Sequence, residues 1–303
     1  MQASPPLFTS GTLLEQIDRQ TQHALECSAL RPLQTDYEVV EEGGIPFVVR
    51  VVSNLARKAA EKRKQERSQQ LGKPANPFLP CDRDLVVCDL LPSHRCVLNK
   101  FNVVSRHILI VTREFESQEN WLTLADFQAL WLALAEIDGL GFYNAGADAG
   151  ASQPHKHLQV VPLPLIPDGI AIPIAQKLDL KPAESAPYKS QELPFNHALV
   201  SFAPNLVNSP DNAARVSFDR YQELLRYLGY LETEQLGVRQ TGAYNLLVTR
   251  RWMMLIPRSQ DAYQSISVNS LGFAGALLVR NRDRLQQLKQ IGLGNLLARV
   301  SRS

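Results

Sequence analysis

Cysteine is scarce in this chain. Cys27, Cys81, Cys88 and Cys96 are too few and too irregularly spaced to build a disulfide framework in 303 residues. Long hydrophobic runs are also missing. No apolar stretch reaches the ~20 residues a membrane span needs. Residues Met1 to Asp18 lack the basic-then-apolar order of a secretory signal. Charge of one sign is scarce as well: 32 Lys and Arg face 30 Asp and Glu, leaving +2. So small an imbalance gives no electrostatic footprint for nucleic acid. These absences predict a cytoplasmic protein with reduced thiols, and with neither nucleic acid nor membrane as partner.

What is present is ordinary globular material, 45% apolar and 20% charged. The length suits one large domain or two modest ones. Helical spacing predicts helices over Thr12–Cys27, Leu122–Asp138, Ser217–Gln235 and Asp283–Leu297. A basic helix is predicted over Ser53–Gln70. Short Val-, Ile- and Leu-rich segments predict strands over Tyr37–Val52 with a turn at Gly43-Gly44, then Asp84–Leu91, Arg95–Val104, His107–Thr112, His155–Pro162, His197–Phe202, Tyr244–Thr249 and Arg251–Ile256. Five prolines between Ile166 and Pro194 mark a connection. The expected partition is 1–165, a 166–194 link, and 195–303. Leu98-Asn99-Lys100 followed by His107–Arg113 is echoed by Tyr244-Asn245-Leu246 followed by Trp252–Arg258. That echo raises two readings, two related αβ halves or two ordinary hairpins.

The chemistry-bearing run is His155-Lys156-His157-Leu158-Gln159. In a strand, His155, His157 and Gln159 share one face, while Lys156, Leu158 and Val160 share the other. The preceding run, Gly146 to Pro154, is rich in small residues and lets backbone N–H groups approach an anion. A neutral imidazole can attack a phosphorus and hold the nucleotidyl group as a phosphoramidate. Its other nitrogen must then be held as a donor, by His155 or by a nearby backbone carbonyl. Gln159 offers an amide N–H to phosphoryl oxygens but cannot act as a general acid, which suits a polyphosphate leaving group. A metal site is the competing reading of His-x-His. No carboxylate or further histidine lies close in sequence to complete one. Cys81, Cys88, His94 and Cys96 fit no standard zinc spacing.

Several further segments join this run: Leu98-Asn99-Lys100-Phe101, Arg106–Thr112, Tyr143-Asn144-Ala145-Gly146, Ser152–Gln159, Ile256-Pro257-Arg258-Ser259 and Asn269–Gly275. As a set they resemble the diadenosine tetraphosphate phosphorylases, or ATP adenylyltransferases, of the histidine-triad superfamily. The likeness extends from about Tyr37 to Val279. It implies an α+β fold, a histidine-triad-like antiparallel sheet with flanking helices. It also implies phosphorolysis of diadenosine tetraphosphate (Ap4A) to ATP and ADP through an adenylylated His157. By the same resemblance His155 and Gln159 belong to the catalytic group. The substrate contacts would be Lys58 (or Arg57), Asn99, Lys100, Asn144, Gly150, Ala151, Ser152, Gln153, Gln159, Asn269, Ser270, Leu271 and Arg280. Ala276 is smaller than its counterpart in some relatives. The implied partners are Ap4A, ATP, ADP and inorganic phosphate. No tightly bound cofactor or metal is expected, and an accompanying Mg2+ is left open. Two rival readings stand beside this one, a sugar-1-phosphate nucleotidyltransferase using the same histidine and a non-catalytic nucleotide- or RNA-binding protein.

Charge and stacking candidates complete the reading. Lys58, Lys100, Arg106 and Arg280 are available to neutralise polyphosphate. Phe142 and Tyr143 are placed to meet a base. Trp121, Trp131 and Trp252 are expected in the core.

Overall fold

The computed structural model describes residues 7–52, 76–166, 169–231 and 238–302. The basic segment 53–70, with Arg57 and Lys58, lies outside them.

Helix α1 (Leu13–Glu26) precedes a hairpin of β1 (Thr35–Glu42) and β2 (Ile45–Val52). Strands β3 (Val86–Leu91), β4 (His94–Leu98) and β5 (Ile108–Thr112) follow, then helix α2 (Leu124–Glu136), β6 (Gly139–Ala145) and β7 (His157–Pro162). The second half holds β8 (Ala198–Ser201), α3 (Pro210–Tyr227), β9 (Tyr244–Val248), β10 (Trp252–Pro257) and a minimal hairpin, β11 (Ala262–Tyr263) with β12 (Ile266–Ser267). It closes with α4 (Ser270–Phe273), β13 (Ala276–Val279), α5 (Arg282–Ile291) and α6 (Leu293–Val300).

Eight strands form one sheet, ordered β3-β4-β5-β7-β6-β9-β10-β8, and every neighbouring pair is antiparallel. The two halves of the chain meet inside it, where β6 pairs with β9 in the register Asn144↔Asn245. The two echoed segments are both hairpins of this sheet, β4–β5 and β9–β10. A smaller sheet, β1-β2-β13, packs on one face.

Both faces are buried, so strands such as β10 read as continuous apolar runs. Met253 and Leu255 enter the core under α1, α2 and α3. Trp252, Met254 and Ile256 enter the core under the small sheet, α5 and α6. Burial on this scale contributes roughly 25 cal/mol per Å2 of apolar surface. The Pro-rich connection joins the second core through Ile172, Ile174, Tyr188 and Leu193.

The structure corrects four boundaries. The helix expected over Asp283–Leu297 is two, because Gly292 takes a φ of +83° and breaks it. The first amides of α6 are then capped by Glu42, whose carboxylate accepts from Leu293 N at 2.8 Å and Gly294 N at 2.9 Å. Helix α3 begins at Pro210 rather than Ser217, since proline at the first position needs no amide partner. Strand β4 ends at Leu98 instead of Val104, where Asn99 turns the chain. Strand β7 begins at His157. His155 makes only an isolated bridge with Ser117.

Candidate active site

The small face of β7 builds the site. Leu158 and Val160 point into the helix-side core, so His157 and Gln159 face the opposite side by alternation. His157 is 4% exposed. Its Nδ1 lies 2.8 Å from the His155 carbonyl oxygen. A carbonyl only accepts, so Nδ1 carries the proton and Nε2 keeps its lone pair. Of the two holders considered for this tautomer, the carbonyl is the one found. Burial lowers the His157 pKa to about 4, against a smaller upward pull from the His155 carbonyl. The ring is therefore neutral near pH 7.

The His155 side chain is engaged elsewhere. Its Nε2 donates to Thr112 O at 2.8 Å and Nδ1 accepts from Asn76 Nδ2 at 2.9 Å. Phe78 closes over both rings, with centroids 5.5 Å away in each case. His155 thus holds the backbone whose carbonyl orients His157. Lys156 is fully buried on the other face, with Nζ 2.7 Å from Asp126 Oδ2 and 3.0 Å from Trp121 O. Burial pushes the Asp126 carboxyl up. Its bond to His94 and the charge of Lys156 outweigh that and hold it at about 2.

Pairing of β7 with β6 stops at Phe142↔Gln159. Gln118 spans the gap beyond. Its Oε1 accepts from His157 N at 2.8 Å, and its Nε2 donates to Asn144 O at 2.8 Å and His157 O at 3.2 Å. Gln118 and Asn76 are absent from the sequence-based set, since neither belongs to a pattern or shares a strand with the histidines.

The small-residue loop is narrower as an anion cradle than its composition suggests. The N–H groups of Ala149, Gly150 and Ala151 close a turn onto Gly146 O and Ala147 O. Those of Ser152 and Gln153 stay outside that turn. Gly150 has a φ of +86°, and a Cβ there would meet Val268 O at 2.9 Å. Asn144 Oδ1 accepts from Asn245 Nδ2, Ser270 N and Ser270 Oγ, at 2.9, 2.9 and 2.7 Å. Ser270 is fully buried in supporting Asn144.

A cavity of about 510 Å3 adjoins the site, lined by Asn99, Asn144, Gly150, Ser152, Gln159, Asn269 and Leu271 among the expected residues. Phe142, Val104, Leu165 and Leu277 supply apolar wall, and Arg50 lines it as well. Phe142 lines this space, whereas Tyr143, the next residue on the strand, points into the opposite core. Trp121, Trp131 and Trp252 are all buried in the cores. Several expected cations are not at the cavity. Arg106 forms a two-point pair with Asp18, at 2.7 and 2.6 Å, beside a separate 280 Å3 cavity. Lys100 pairs with Asp82 at 3.2 Å, and Arg280 is exposed just past β13. Cys88 and Cys96 face each other across β3 and β4, and His94 bonds Asp126.

An antiparallel sheet carrying a neutral histidine, whose Nε2 has no hydrogen-bond partner among the described residues, beside a cavity of about 510 Å3 fits a nucleotidyltransferase. The chain belongs to the Ap4A phosphorylase/ATP adenylyltransferase family. The Ap4A phosphorylase N-terminal domain matches residues 3–180, and the ATP adenylyltransferase C-terminal domain matches residues 191–303. Among curated proteins of Saccharomyces cerevisiae, the chain is 31% identical to diadenosine 5',5'''-P1,P4-tetraphosphate phosphorylase 2 over 241 residues, covering 72% of this chain and 73% of the relative. It is 25% identical to protein APA1 over 268 residues, covering 81% and 79%. The crystal structure of yeast Ap4A phosphorylase Apa2 in complex with Ap4A shares the fold, with a TM-score of 0.76, 24% identity, and coverage of 97% of this chain and 98% of that one.

Proposed function

We propose that this enzyme cleaves Ap4A with inorganic phosphate, yielding ATP and ADP. The observation that carries the reading is His157 itself, neutral, with its proton held on Nδ1 and its Nε2 without a hydrogen-bond partner among the described residues. In the first step Nε2 attacks an α-phosphorus of Ap4A. The bond from that phosphorus to the bridging oxygen breaks, and ATP leaves with the oxygen and its electron pair. In the second step a phosphate oxygen attacks the same phosphorus, the P–N bond breaks, and ADP is released. ATP leaves as a polyphosphate anion and needs no proton, consistent with glutamine at position 159.

The substrate contacts follow from the cavity. Its apolar walls suit a nucleoside, and Asn144, Ser152, Gln159 and Asn269 line its polar side. The Ser152 and Gln153 amides and the Gln159 carboxamide would meet phosphoryl oxygens. In this reading residues 1–165 supply the nucleophile, 166–194 connect, and 195–303 supply Asn269 and Leu271. Lys58, Lys100 and Arg280 would serve in this reading as cations for phosphates that extend past the cavity lining, and Mg2+ would accompany the nucleotide rather than be held by the protein. Among the described residues no helix is long and apolar enough to cross a membrane. We place the enzyme in the cytoplasm, where its nucleotide partners reside.

The test is a turnover assay with Ap4A, with and without phosphate. Phosphate-dependent release of equal ATP and ADP is the expected result. Turnover that instead requires a sugar phosphate would replace this reading with the sugar-nucleotide one.

A further inference from the structure

Gln159 ends a line of hydrogen bonds whose direction is fixed from the far end. The Phe101 amide takes Asn99 Oδ1 as acceptor at 3.3 Å. Asn99 Nδ2 is therefore the atom 3.1 Å from His107 Nδ1. An amide nitrogen only donates, so Nδ1 of His107 accepts and its proton sits on Nε2. That Nε2 lies 2.9 Å from Gln159 Oε1 and donates to it. Turning the Gln159 carboxamide over would set an N–H against an N–H. With Oε1 held, the amide nitrogen is the end left for a ligand in the cavity that Asn99, His107 and Gln159 all line.

We propose that His107 is a positioning residue for adenylyl transfer, one that fixes the Gln159 carboxamide so that its N–H2 group meets the transferring phosphoryl group. The proposal rests on the Ap4A reading above. Its physical basis is the terminal amide torsion, which is broad and two-fold for glutamine. Half of that freedom would present a carbonyl oxygen to an anionic phosphoryl oxygen. Removing it in advance makes the donor preorganised, which is where such groups gain their effect.

The surroundings hold His107 in place. His107 is 8% exposed, and its ring packs on Phe142 with centroids 5.9 Å apart. Its carbonyl accepts from Asn99 N at 3.0 Å. The preceding Arg106, at a φ of +56°, is tied to Asp18 of α1. Burial lowers the His107 pKa to about 4, with the Gln159 bond opposing and His157 adding a small further drop. A protonated ring would place a second N–H against the Asn99 amide, so the relay works in the neutral form.

The test is a double-mutant cycle on the rate of AMP transfer to His157 from Ap4A in single-turnover conditions. His107→Ala is expected to slow the step about 10- to 100-fold with little change in KM. In a Gln159→Ala background the same change is expected to cost less than about 3-fold, because the group it orients is gone. His107→Gln, which keeps a donor where Nε2 lies, is expected to recover most of the rate. Equal costs in both backgrounds, or a wild-type rate in His107→Ala, would overturn the proposal. Should the alanine variant fail to fold, the two-bond 15N–1H spectrum of the wild-type protein decides. Protonation of His107 at Nε2 supports the relay, and protonation at Nδ1 overturns it. That spectrum reads the relay without turnover, so absence of Ap4A cleavage in the wild type would remove the Ap4A reading while leaving the relay separately judged.

Discussion

His157 depends on neighbours that hold its backbone more than on ones that touch its ring. Its tautomer comes from the carbonyl two residues earlier, and its peptide unit is held at both ends by Gln118. Gln118→Ala would remove three hydrogen bonds in a buried gap and leave buried backbone groups unpaired, at about 1–3 kcal/mol for each unsatisfied group. We predict a clear drop in melting temperature and a loss of kcat exceeding 10-fold, since misplacing the proposed nucleophile by about 1 Å is costly. A variant with wild-type kcat would show that Gln118 is only a passenger. Gly150 is the second sensitive position. Gly150→Ala adds a Cβ at positive φ and 2.9 Å from a carbonyl oxygen. The expected outcome is destabilisation of about 1 kcal/mol or more, seen as a lowered denaturant midpoint.

At the scale of elements, the strand alternation around His157 was readable from sequence because period two is strict. Leu158 and Val160 fall in the helix-side core as that period requires. The same reading failed where long-range contacts decide a boundary. Gly292 is the local mark of the break between α5 and α6, but no local signal shows the cap that starts α6, because it comes from Glu42, some 251 residues away. Nor does any local signal reveal Gln118 or Asn76, which act by filling a gap that exists only once β6 and β7 diverge. Charge was legible as composition but not as placement, since Arg106 is committed to Asp18. The Glu42 cap gives an element-scale prediction. Glu42→Ala should cost about 1 kcal/mol by urea titration and loosen amide exchange in α6 first. Unchanged exchange at Leu293 and Gly294 would contradict the capping role.

Across the whole molecule, buried histidines link stability to pH. His107 and His157 both have pKa values lowered to about 4 by burial, against 6.5 when exposed. The unfolded chain therefore binds more protons between those values, so stability falls as pH drops from about 6.5 toward 4. Each histidine contributes on the order of 3 kcal/mol to that loss. Asp126 acts in a lower window. Held at about 2 against 3.8, it gives stability that is kept above its unfolded pKa and lost as pH falls through about 2. Calorimetry from pH 7 to 4 should show a steady fall in melting temperature, reduced in His107→Gln. A flat profile across that range would contradict the burial argument. The sheet that joins both halves predicts one cooperative transition rather than two, because β6 and β9 are central neighbours.

The most direct test of the account is intact-protein mass spectrometry after mixing the enzyme with Ap4A in the absence of phosphate. The account predicts one added AMP, mapped to His157, discharged as ADP when phosphate is supplied, and absent in His157→Ala. No adduct in the wild type, together with full phosphorolytic activity in His157→Ala, would contradict it.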